Sequence, residues 1–320
     1  MAMTYRQLGT SGLTVSTVGL GCNNFGSRMA DDDVPKVVAA AIDAGITLFD
    51  TADIYGGRDA ASKGRSEELL GAALGSRRDE VVVATKFGND MAGGNGPDWG
   101  VRGSRRYVRR AVEASLRRLG TDWIDLYQMH VPDPHTPIEE TLDVLNDLVH
   151  EGKVRYLGSS NFAGWQVIDA DWAARTAGLE PFVSAQNHYS WLHREAEQEL
   201  VPALEHTGQS LLPFFPLANG LLTGKYARGH EAPEGSRLAK HPERMAGANW
   251  DVIEGLTRFA TERDLSLLHV AIGGLAAMPT VGSVIAGATK VDQIAQNVEY
   301  GVWQPTEAEL AELRAIATSH

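Results

Sequence analysis

Four polar residues stand just past the ends of three short apolar runs in this sequence. Two of them follow the first run and one follows each of the next two, so a carboxylate, a phenol, an amine and an imidazole occupy comparable places. The four are Asp50, Tyr55, Lys86 and His130. Later runs are followed by other polar or aromatic residues, namely Ser160, Asn161, Gln186 and Phe214. If the runs are strands whose ends lie on one rim, all these side chains would lie close together.

The chemistry that suits the four residues is the reduction of a carbonyl group. Hydride addition leaves negative charge on the carbonyl oxygen, which then needs a proton donor and nearby positive charge. Tyr55 can donate the proton, but a free phenol has a pKa of about 10, and we expect the ammonium group of Lys86 to lower it. Asp50 would keep Lys86 charged and in place. His130 would orient the carbonyl through a hydrogen bond or help to relay the proton.

Each of these residues has an ordinary structural explanation when it is taken alone. An aspartate after a strand is usually a turn residue, and a single lysine is most often solvated. A lone histidine or tyrosine is as often a packed structural residue. The combination favours a site, because the ends of successive barrel strands share one rim. A hydrolase that uses Asp50 and His130 without a nicotinamide cofactor stays open as an alternative.

The order of apolar patterns predicts the fold. After a hairpin over 4–15, strand-like runs alternate with segments of helical period, in eight pairs of about 35 residues. This alternation implies parallel strands and an α/β fold, which we predict to be a (β/α)8 TIM barrel in a single domain over 1–320. Loops 88–103 and 217–249 would lie on its active face. The strands are predicted at 18–21, 46–50, 81–85, 124–129, 154–159, 182–185, 210–214 and 281–285.

The rival architecture is an open sheet that binds a dinucleotide at a glycine-rich turn. Gly19 and Gly21 begin its fingerprint, but Asn24 stands at the third glycine, and the next helix begins about ten residues later. A phosphate-binding P-loop is likewise incomplete at 220–226, where Tyr226 replaces the hydroxyl residue that would reach Mg²⁺. Both departures favour the barrel.

Capping residues mark the ends of several predicted helices. Ser66 is predicted as an N-terminal cap, and another helix is predicted to begin at Ser104 and to end at Gly120. The segment 136–139 predicts a capping box with Pro137 at the first helical position.

Three other features are interpreted as structural. Trp165 and Trp172 lie seven residues apart on the fifth helix, a spacing that predicts core packing. His130, Asp133 and His135 could suggest a metal site, but no further ligand cluster completes one, and we expect none. Six arginines of the third helix are interpreted as a solvated face: Arg105, Arg106, Arg109, Arg110, Arg117 and Arg118.

The composition restricts partners and compartment. The formal net charge of −12 disfavours nucleic acid and anionic membranes, because both reward basic surfaces. The single cysteine, Cys22, excludes an internal disulfide and favours a reducing compartment, so we expect a cytoplasmic protein. The N-terminus lacks the features of a signal peptide. The weakly charged stretch 265–287 contains Pro279, and we interpret it as a helix and a strand instead of a membrane span.

Longer motifs resemble the aldo-keto reductases, and the resemblance covers nearly the whole chain. The motifs are FDTADIYG at 49–56, ATK at 84–86, LYQMH at 126–130, GKVRYLGSSNF at 152–162, GLLTGKY at 220–226 and IAGAT at 285–289. The resemblance implies an enzyme that reduces aldehydes or ketones, with Tyr55 as the general acid of a tetrad completed by Asp50, Lys86 and His130.

The resemblance also implies an extended nicotinamide cofactor, usually NADPH, across the barrel mouth. Ser160, Asn161 and Gln186 would hold its carboxamide, and Phe214 would stack on the nicotinamide ring. The other residues implied near the cofactor are Gly21, Cys22, Asn23, Asp50, Phe215, Pro216, Leu217, Ala218, Asn219, Gly220 and Lys225, with Arg237, Gly287, Thr289, Lys290, Gln293, Gln296 and Asn297 around the adenosine.

Departures from the family pattern bear on specificity. Many members have Tyr or Trp in place of Phe214, and Thr-Trp in place of Cys22 and Asn23, which removes an aromatic wall from the expected substrate pocket. Lys290 is the obvious cation near the adenosine, and cations hold a 2′-phosphate best, so we expect NADPH over NADH. Three tryptophans either line a pocket or pack elsewhere: Trp99, Trp250 and Trp303.

The resemblance leaves a second function open. The chain also resembles the beta subunits of voltage-gated potassium channels, which keep the cofactor and the tetrad yet serve a partner. Slow turnover with tight cofactor retention would favour such a regulatory subunit over an enzyme. The sequence does not define the substrate or the oligomeric state.

Overall fold

A computed structural model describes residues 2–57, 59–236 and 238–318. The predicted N-terminal hairpin is formed by the antiparallel strands β1 (Tyr5–Gln7) and β2 (Thr14–Ser16). Its turn requires Gly9, because φ is +56° there and a Cβ would lie 2.6 Å from the carbonyl oxygen of Gly208. The guanidinium of Arg6 donates hydrogen bonds to the carbonyls of Ala276 and Val281 at 2.9 and 2.6 Å. The hairpin is thereby fixed across one end of the main sheet.

The main sheet has eight parallel strands, and it closes into the predicted (β/α)8 barrel. The strands are β3 (Val18–Gly21), β4 (Leu48–Asp50), β5 (Val82–Phe87), β6 (Ile124–Met129), β7 (Val154–Ser160), β8 (Phe182–Gln186), β9 (Ser210–Leu211) and β10 (Val284–Gly287). Their spatial order is β10-β3-β4-β5-β6-β7-β8-β9. The backbone N–H of Leu211 donates to Thr280 at 2.8 Å, and that of Ile285 donates to Pro213 at 3.0 Å. These bonds join β9 to the β10 segment and close the circle.

Ten α-helices surround or extend the barrel in the described part of the chain. They are α1 (Val34–Asp43), α2 (Arg65–Leu74), α3 (Arg105–Leu119), α4 (Ile138–His150), α5 (Gly164–Ala177), α6 (Leu200–Thr207), α7 (Pro242–Ala246), α8 (Trp250–Thr261), α9 (Val291–Gly301) and α10 (Glu307–Thr318). A π-helical segment, His269–Gly274, precedes β10. No helix among the described residues is long and apolar enough to cross a membrane.

Side-chain alternation along the strands produces two hydrophobic cores and one polar end. Phe49 and Val83 point outward into the core between strands and helices. Leu48, Ala84 and Leu126 point inward, where side chains of the hairpin join them. Because side chains alternate along a strand, the residues two positions later also point into the barrel. Those residues are Asp50, Lys86 and Gln128, so the interior is apolar toward the hairpin and polar toward the opposite mouth.

Six of the eight predicted strands have different bounds in the structure, and two of them differ by three residues at one end. The seventh strand was expected over 210–214 and ends at Leu211, since Pro213 has no N–H to donate to a ladder. Phe214 nevertheless forms an isolated bridge with His188. The eighth strand was expected over 281–285 and is displaced to Val284–Gly287.

Two predicted caps are wrong. Ser66 lies inside α2, whose N-cap is Gly64, and its hydroxyl donates to the carbonyl of Cys22 at 2.8 Å. Thr136 caps no helix, because its hydroxyl donates to Asp133 at 2.7 Å, and Pro137 is the N-cap instead of the first helical residue. In both cases the hydroxyl forms a hydrogen bond with a residue outside the helix, and it therefore does not cap the helix as the local sequence predicts.

Two interpretations of helix surfaces are also wrong. Trp165 and Trp172 lie on the outer face of α5 with 62% and 69% of their surface exposed, so they are not core residues. Arg118 is not part of a solvated face, because its side chain is 14% exposed and its Nε lies 2.6 Å from Glu67. The prediction of a solvated face is confirmed for Arg105 and Arg109, which form exposed ion pairs with α4 and its C-terminal end.

The predicted start of the third helix at Ser104 is confirmed, and the structure shows Ser104 as its N-cap. The hydroxyl of Ser104 accepts a hydrogen bond from the N–H of Tyr107 in the first turn of α3. We expect Ser104→Ala to lower the free energy of unfolding by about 1 kcal/mol, as losing an N-cap does elsewhere. Ser104→Asp keeps an acceptor and is the matched control. Urea denaturation measures both, and an equal loss in the two variants would exclude capping as the cause.

Candidate active site

A buried ion pair lies at the polar end of the barrel interior. The Nζ of Lys86 lies 2.7 Å from both carboxylate oxygens of Asp50 and 2.8 Å from the carbonyl oxygen of Thr51. The same carboxylate accepts bonds from the side-chain amides of Gln186 at 2.8 Å and Gln128 at 3.3 Å. Gln128 was not among the predicted site residues, although its inward position two residues after Leu126 could have indicated it.

The charges of this pair keep Lys86 protonated. Burial by itself lowers the pKa of Lys86, but the Asp50 carboxylate and then Tyr55 outweigh it, so the pKa lies above its usual value. Lys86 is fully buried and does not reach the cavity wall. Its positive charge therefore acts on the cavity through the residues above it.

Tyr55 lies directly above the ammonium group. The Nζ of Lys86 is 5.0 Å from the centre of the Tyr55 ring. The Tyr55 carbonyl accepts bonds from the N–H groups of Gly64 and Ser66 at 3.0 and 3.2 Å, which ties the segment to the start of α2. Gly56 follows with φ at +144°, and a Cβ there would lie 1.9 Å from the Ser62 carbonyl oxygen. Only glycine fits this turn.

The pKa of Tyr55 differs from the sequence expectation. Burial raises the pKa of the phenol, the charge of Lys86 lowers it, and the net result lies above the usual value. Lys86 thus acts in the expected direction, but burial, which the sequence expectation did not include, outweighs its effect. The raised pKa suits a proton donor, because it keeps Tyr55 a neutral phenol at neutral pH.

His130 completes the group as a neutral imidazole. Its ring stands edge-on to that of Tyr55, with the ring centres 5.8 Å apart. Burial and the charge of Lys86 lower the pKa of His130 to about 3. Its Nδ1 is buried without a hydrogen-bond partner among the described residues. His130 can therefore donate or accept one hydrogen bond as a neutral group at ordinary pH, but it cannot act as a cation.

A long cavity of about 950 Å³ crosses the barrel mouth above these residues. Tyr55, His130 and Asp50 lie on its wall, so the structure brings together the predicted tetrad, with Lys86 beneath. The predicted cofactor residues on this wall are Gly21, Asn23, Asp50, Ser160, Asn161, Gln186, Phe214, Phe215, Pro216, Leu217, Asn219, Gly220, Lys225, Gly287, Thr289 and Gln293. The sequence-derived set thus describes most of one continuous surface.

Some predicted cofactor residues lie off this wall. Cys22 is buried beside Asp50, and its thiol donates to the carbonyl of Leu20 at 3.6 Å. Asn297 supports the wall indirectly, because its amide donates to the carbonyl of Gly287 at 3.5 Å. The others off the wall are Ala218, Lys290 and Gln296, and Arg237 lies outside the described residues.

Several residues of the wall were missed. Arg28 and Asn24 come from the loop after β3, and Thr223, Tyr226 and Lys240 come from the active-face loop 217–249. Their place after strand ends of the barrel is the signal that could have found them. Arg28, Lys225 and Lys240 give the wall positive charge. Three tryptophans that were considered for this pocket do not line it: Trp99, Trp250 and Trp303.

The nicotinamide-side residues are held in place by one another. The Ser160 hydroxyl donates to the carbonyl of Gln186 at 2.8 Å, and the Asn161 amide donates to the Ser160 hydroxyl at 3.0 Å. The Phe214 ring is nearly parallel to that of His188, which in turn stacks on His193. A flat ring and a group of amides and hydroxyls fit a planar aromatic carboxamide.

The fold and the site together fit an oxidoreductase built on a (β/α)8 barrel. A sequence profile of the aldo/keto reductase family matches residues 17–318, and the chain belongs to this family. Members act on small-molecule carbonyl compounds with nicotinamide cofactors.

Named relatives match over most of their length. A probable voltage-gated potassium channel subunit beta from Oryza sativa subsp. japonica is 36% identical over 310 residues, covering 93% of this chain and 90% of that protein. An uncharacterized oxidoreductase, YrpG, from Bacillus subtilis (strain 168) is 36% identical over 302 residues, with the same coverage. The L-glyceraldehyde 3-phosphate reductase of Escherichia coli (strain K12) is 32% identical over 307 residues, covering 93% and 87%.

The ion pair predicts the effect of removing its cation. Lys86→Met leaves the buried Asp50 carboxylate without a compensating charge, so we expect the free energy of unfolding to fall by about 3–5 kcal/mol at neutral pH. The double variant Lys86→Met/Asp50→Asn removes both charges and should recover most of the loss. Urea denaturation of the wild type, both single variants and the double variant measures the coupling. Additive losses in this cycle would show that the two charges do not stabilise each other.

Proposed function

We propose that this protein is an NADPH-dependent reductase of aldehydes or ketones in which Tyr55 is the general acid. The observation that carries the proposal is the position of Tyr55 on the cavity wall, with the buried ammonium group of Lys86 5.0 Å from the centre of its ring. Negative charge that develops on a carbonyl oxygen at this place meets both a proton and a positive charge.

Each residue of the tetrad has a separate task in this reaction. The cofactor, when bound, supplies the hydride. Tyr55 gives its proton to the carbonyl oxygen, and Lys86 stabilises the phenolate that remains. Asp50 holds Lys86 charged. His130, being neutral, donates a hydrogen bond that orients the carbonyl.

The cavity wall supports NADPH as the cofactor. Ser160, Asn161 and Gln186 would hold the carboxamide, and the ring of Phe214 would stack on the nicotinamide. The positive charges of Arg28, Lys225 and Lys240 on the wall suit a molecule with several phosphates.

Two other functions were considered. A hydrolase that uses Asp50 and His130 is disfavoured, because Lys86 occupies both oxygens of the carboxylate. A cofactor-binding regulatory subunit is favoured by one specific observation, the similarity to a plant protein named as a probable potassium channel subunit beta. The two remaining candidates differ in turnover, since a regulatory subunit would retain its cofactor and turn over slowly.

Removing the phenol hydroxyl tests the role of the acid. We expect Tyr55→Phe to lower kcat for carbonyl reduction by about 10²–10⁴-fold, because the proton donor is lost. The dissociation constant for NADPH should stay within about twofold of the wild-type value. General acid catalysis requires the phenol hydroxyl to contact the carbonyl oxygen, and not the cofactor. Absorbance of the reduced cofactor follows turnover over a panel of aldehydes and ketones, and Tyr5→Phe is a matched control on the exposed hairpin. Turnover at the wild-type rate in Tyr55→Phe would remove Tyr55 from the chemistry.

Cofactor preference tests the adenosine end of the cavity. Lys290 is the exposed N-cap of α9, next to the wall residue Thr289. We expect Lys290→Ala to raise the dissociation constant of NADPH by about tenfold and to leave that of NADH almost unchanged, because a charge-assisted bond to the 2′-phosphate is lost. Fluorescence titration with both cofactors measures this, with Lys36→Ala as a remote surface control. Equal weakening of both cofactors would exclude Lys290 from 2′-phosphate recognition.

A further inference from the structure

Five polar side chains form a cluster behind the tetrad, and none of them lines the cavity. Asp53, Glu67 and Thr85 are fully buried, Asn95 is 5% exposed, and the side chain of Arg118 is 14% exposed. We call these five residues the Asp53 network. The carbonyl reduction proposed above uses none of them.

Hydrogen bonds connect the five side chains into a chain. The Asn95 amide donates to Oδ2 of Asp53 at 2.9 Å, and Nη1 of Arg118 donates to Oδ1 of Asn95 at 3.2 Å. The Nε of Arg118 donates to Oε2 of Glu67 at 2.6 Å. The remaining oxygen of Glu67 accepts the hydroxyl of Thr85, also at 2.6 Å. Short charge-assisted bonds of this kind hold their partners firmly in a buried setting.

The network joins the separate segments that carry the acid and its lysine. Asp53 precedes Tyr55 by two residues, and its backbone N–H donates to the carbonyl of Lys86 at 3.1 Å. Thr85 is the residue immediately before Lys86 on β5. Glu67 lies in the first turn of α2, the same turn whose N–H groups hold the Tyr55 carbonyl.

The network also holds an active-face loop. Asn95 belongs to loop 88–103, and its amide nitrogen lies 3.4 Å from the hydroxyl of Tyr107 on α3. Since the loop has no regular secondary structure, the bond from Asn95 to Asp53 is one of the contacts that fix its position. The loop and the catalytic segments therefore share one anchor.

The Asp53 network contains more acidic groups than basic groups. Two carboxyl groups, Asp53 and Glu67, share the single guanidinium of Arg118. Oδ1 of Asp53 is buried without a hydrogen-bond partner among the described residues. Burial, and next the charge of Glu67, raise the pKa of Asp53 to about 8, although Arg118 and Asn95 act in the opposite direction.

The groups that face Asp53 come from every element packed against it. They are Glu67 on α2, Arg118 and Tyr107 on α3, Tyr127 on β6 and Asn95 in the loop. Burial raises the pKa values of Tyr107 and Tyr127 above their usual range, so both are neutral where Asp53 titrates. Asp53 is thus the group of this cluster that gains a charge at mildly alkaline pH.

We propose that the Asp53 network positions Tyr55 and Lys86 relative to each other, with Asp53 as its central positioning residue. The inference rests in part on the proposed reductase function, because its kinetic consequence needs turnover. A neutral Asp53 completes the network. Either removal of its side chain or its ionisation beside Glu67 loosens the segments, and even small displacements of an acid slow proton transfer.

Three variants separate positioning from simple stability. Asp53→Ala removes the acceptor, whereas Asp53→Asn keeps an acceptor and stays neutral at every pH. Asp125→Asn is the matched control, since Asp125 is a buried aspartate at the start of β6, distant from the mouth, and pairs with Arg78 at 2.7 Å. It should lower stability without changing turnover.

We expect kcat of Asp53→Ala to fall by about tenfold or more, with NADPH affinity unchanged, and kcat of Asp53→Asn to stay within about threefold of the wild type. The wild type should lose kcat above a pH of about 8, where Asp53 ionises. Asp53→Asn should keep its kcat beyond that pH, because its side chain cannot ionise. Wild-type kcat in Asp53→Ala, or a loss shared equally with Asp125→Asn, would overturn the proposal.

A second measurement does not depend on turnover. Ultraviolet difference spectra between each protein and its Tyr55→Phe counterpart report the ionisation of the Tyr55 phenol. Asp53 of the wild type is already ionised at the pH where the phenol titrates, so Asp53→Asn is the reference with an intact network. If the network positions Tyr55 over Lys86, the titration in Asp53→Ala differs from that in Asp53→Asn, whereas Asp125→Asn matches the wild type. An identical titration in Asp53→Ala and Asp53→Asn overturns the proposal even where the wild type reduces no carbonyl, an outcome that would contradict the reductase function alone.

A milder variant serves where Asp53→Ala does not fold. Thr85→Val keeps the shape of the side chain and removes only the bond to Glu67. We expect the same two effects at a smaller magnitude, namely a lower kcat at constant NADPH affinity and a shifted Tyr55 titration. A folded Thr85→Val protein that shows neither effect would overturn the proposal.

Discussion

The ion pair between Lys86 and Asp50 is the interaction on which the site depends. A buried ammonium group is unfavourable unless a partner and hydrogen bonds compensate its charge. Here the carboxylate and the Thr51 carbonyl surround it. The paired lysine lies beneath the cavity wall, so its field reaches Tyr55 and His130 without the lysine itself meeting solvent. Burial and that field together keep His130 neutral, and the field opposes the rise in the pKa of Tyr55 that burial causes.

The barrel makes this arrangement possible because its two ends differ. The hairpin covers one end, and Leu8, Leu13 and Val15 pack with the inward residues of the strands. Apolar side chains fill the interior up to the last inward layer, where Asp50 and Lys86 stand. The helices and loops at the other end leave a long cavity with a positively charged wall. Rigid strands therefore fix the acid and its lysine, while the loops shape what binds above them.

Periodic patterns predicted the barrel and the grouping of the tetrad, because strand alternation and the common rim of strand ends are local rules. Features that depend on distant contacts were not predictable. The spacing of Trp165 and Trp172 places them on one helix face but does not reveal that this face is exposed. Arg118 has the sequence context of a surface arginine, and only the approach of α2 to α3 brings it to Glu67. The pKa of Tyr55 depends on burial as well as on charge, and burial needs the fold. The single domain over 1–320 and the cytoplasmic location stay predictions.

The central claim is that this cavity transfers a hydride to a carbonyl carbon while Tyr55 protonates the oxygen. The most direct measurement uses NADPH deuterated at the reactive carbon of the nicotinamide, incubated with the protein and a panel of aldehydes and ketones. Mass spectrometry of the products then locates the label. The account predicts an alcohol that carries deuterium on its carbinol carbon. No labelled alcohol from protein shown to bind NADPH would contradict the reductase and favour a regulatory subunit.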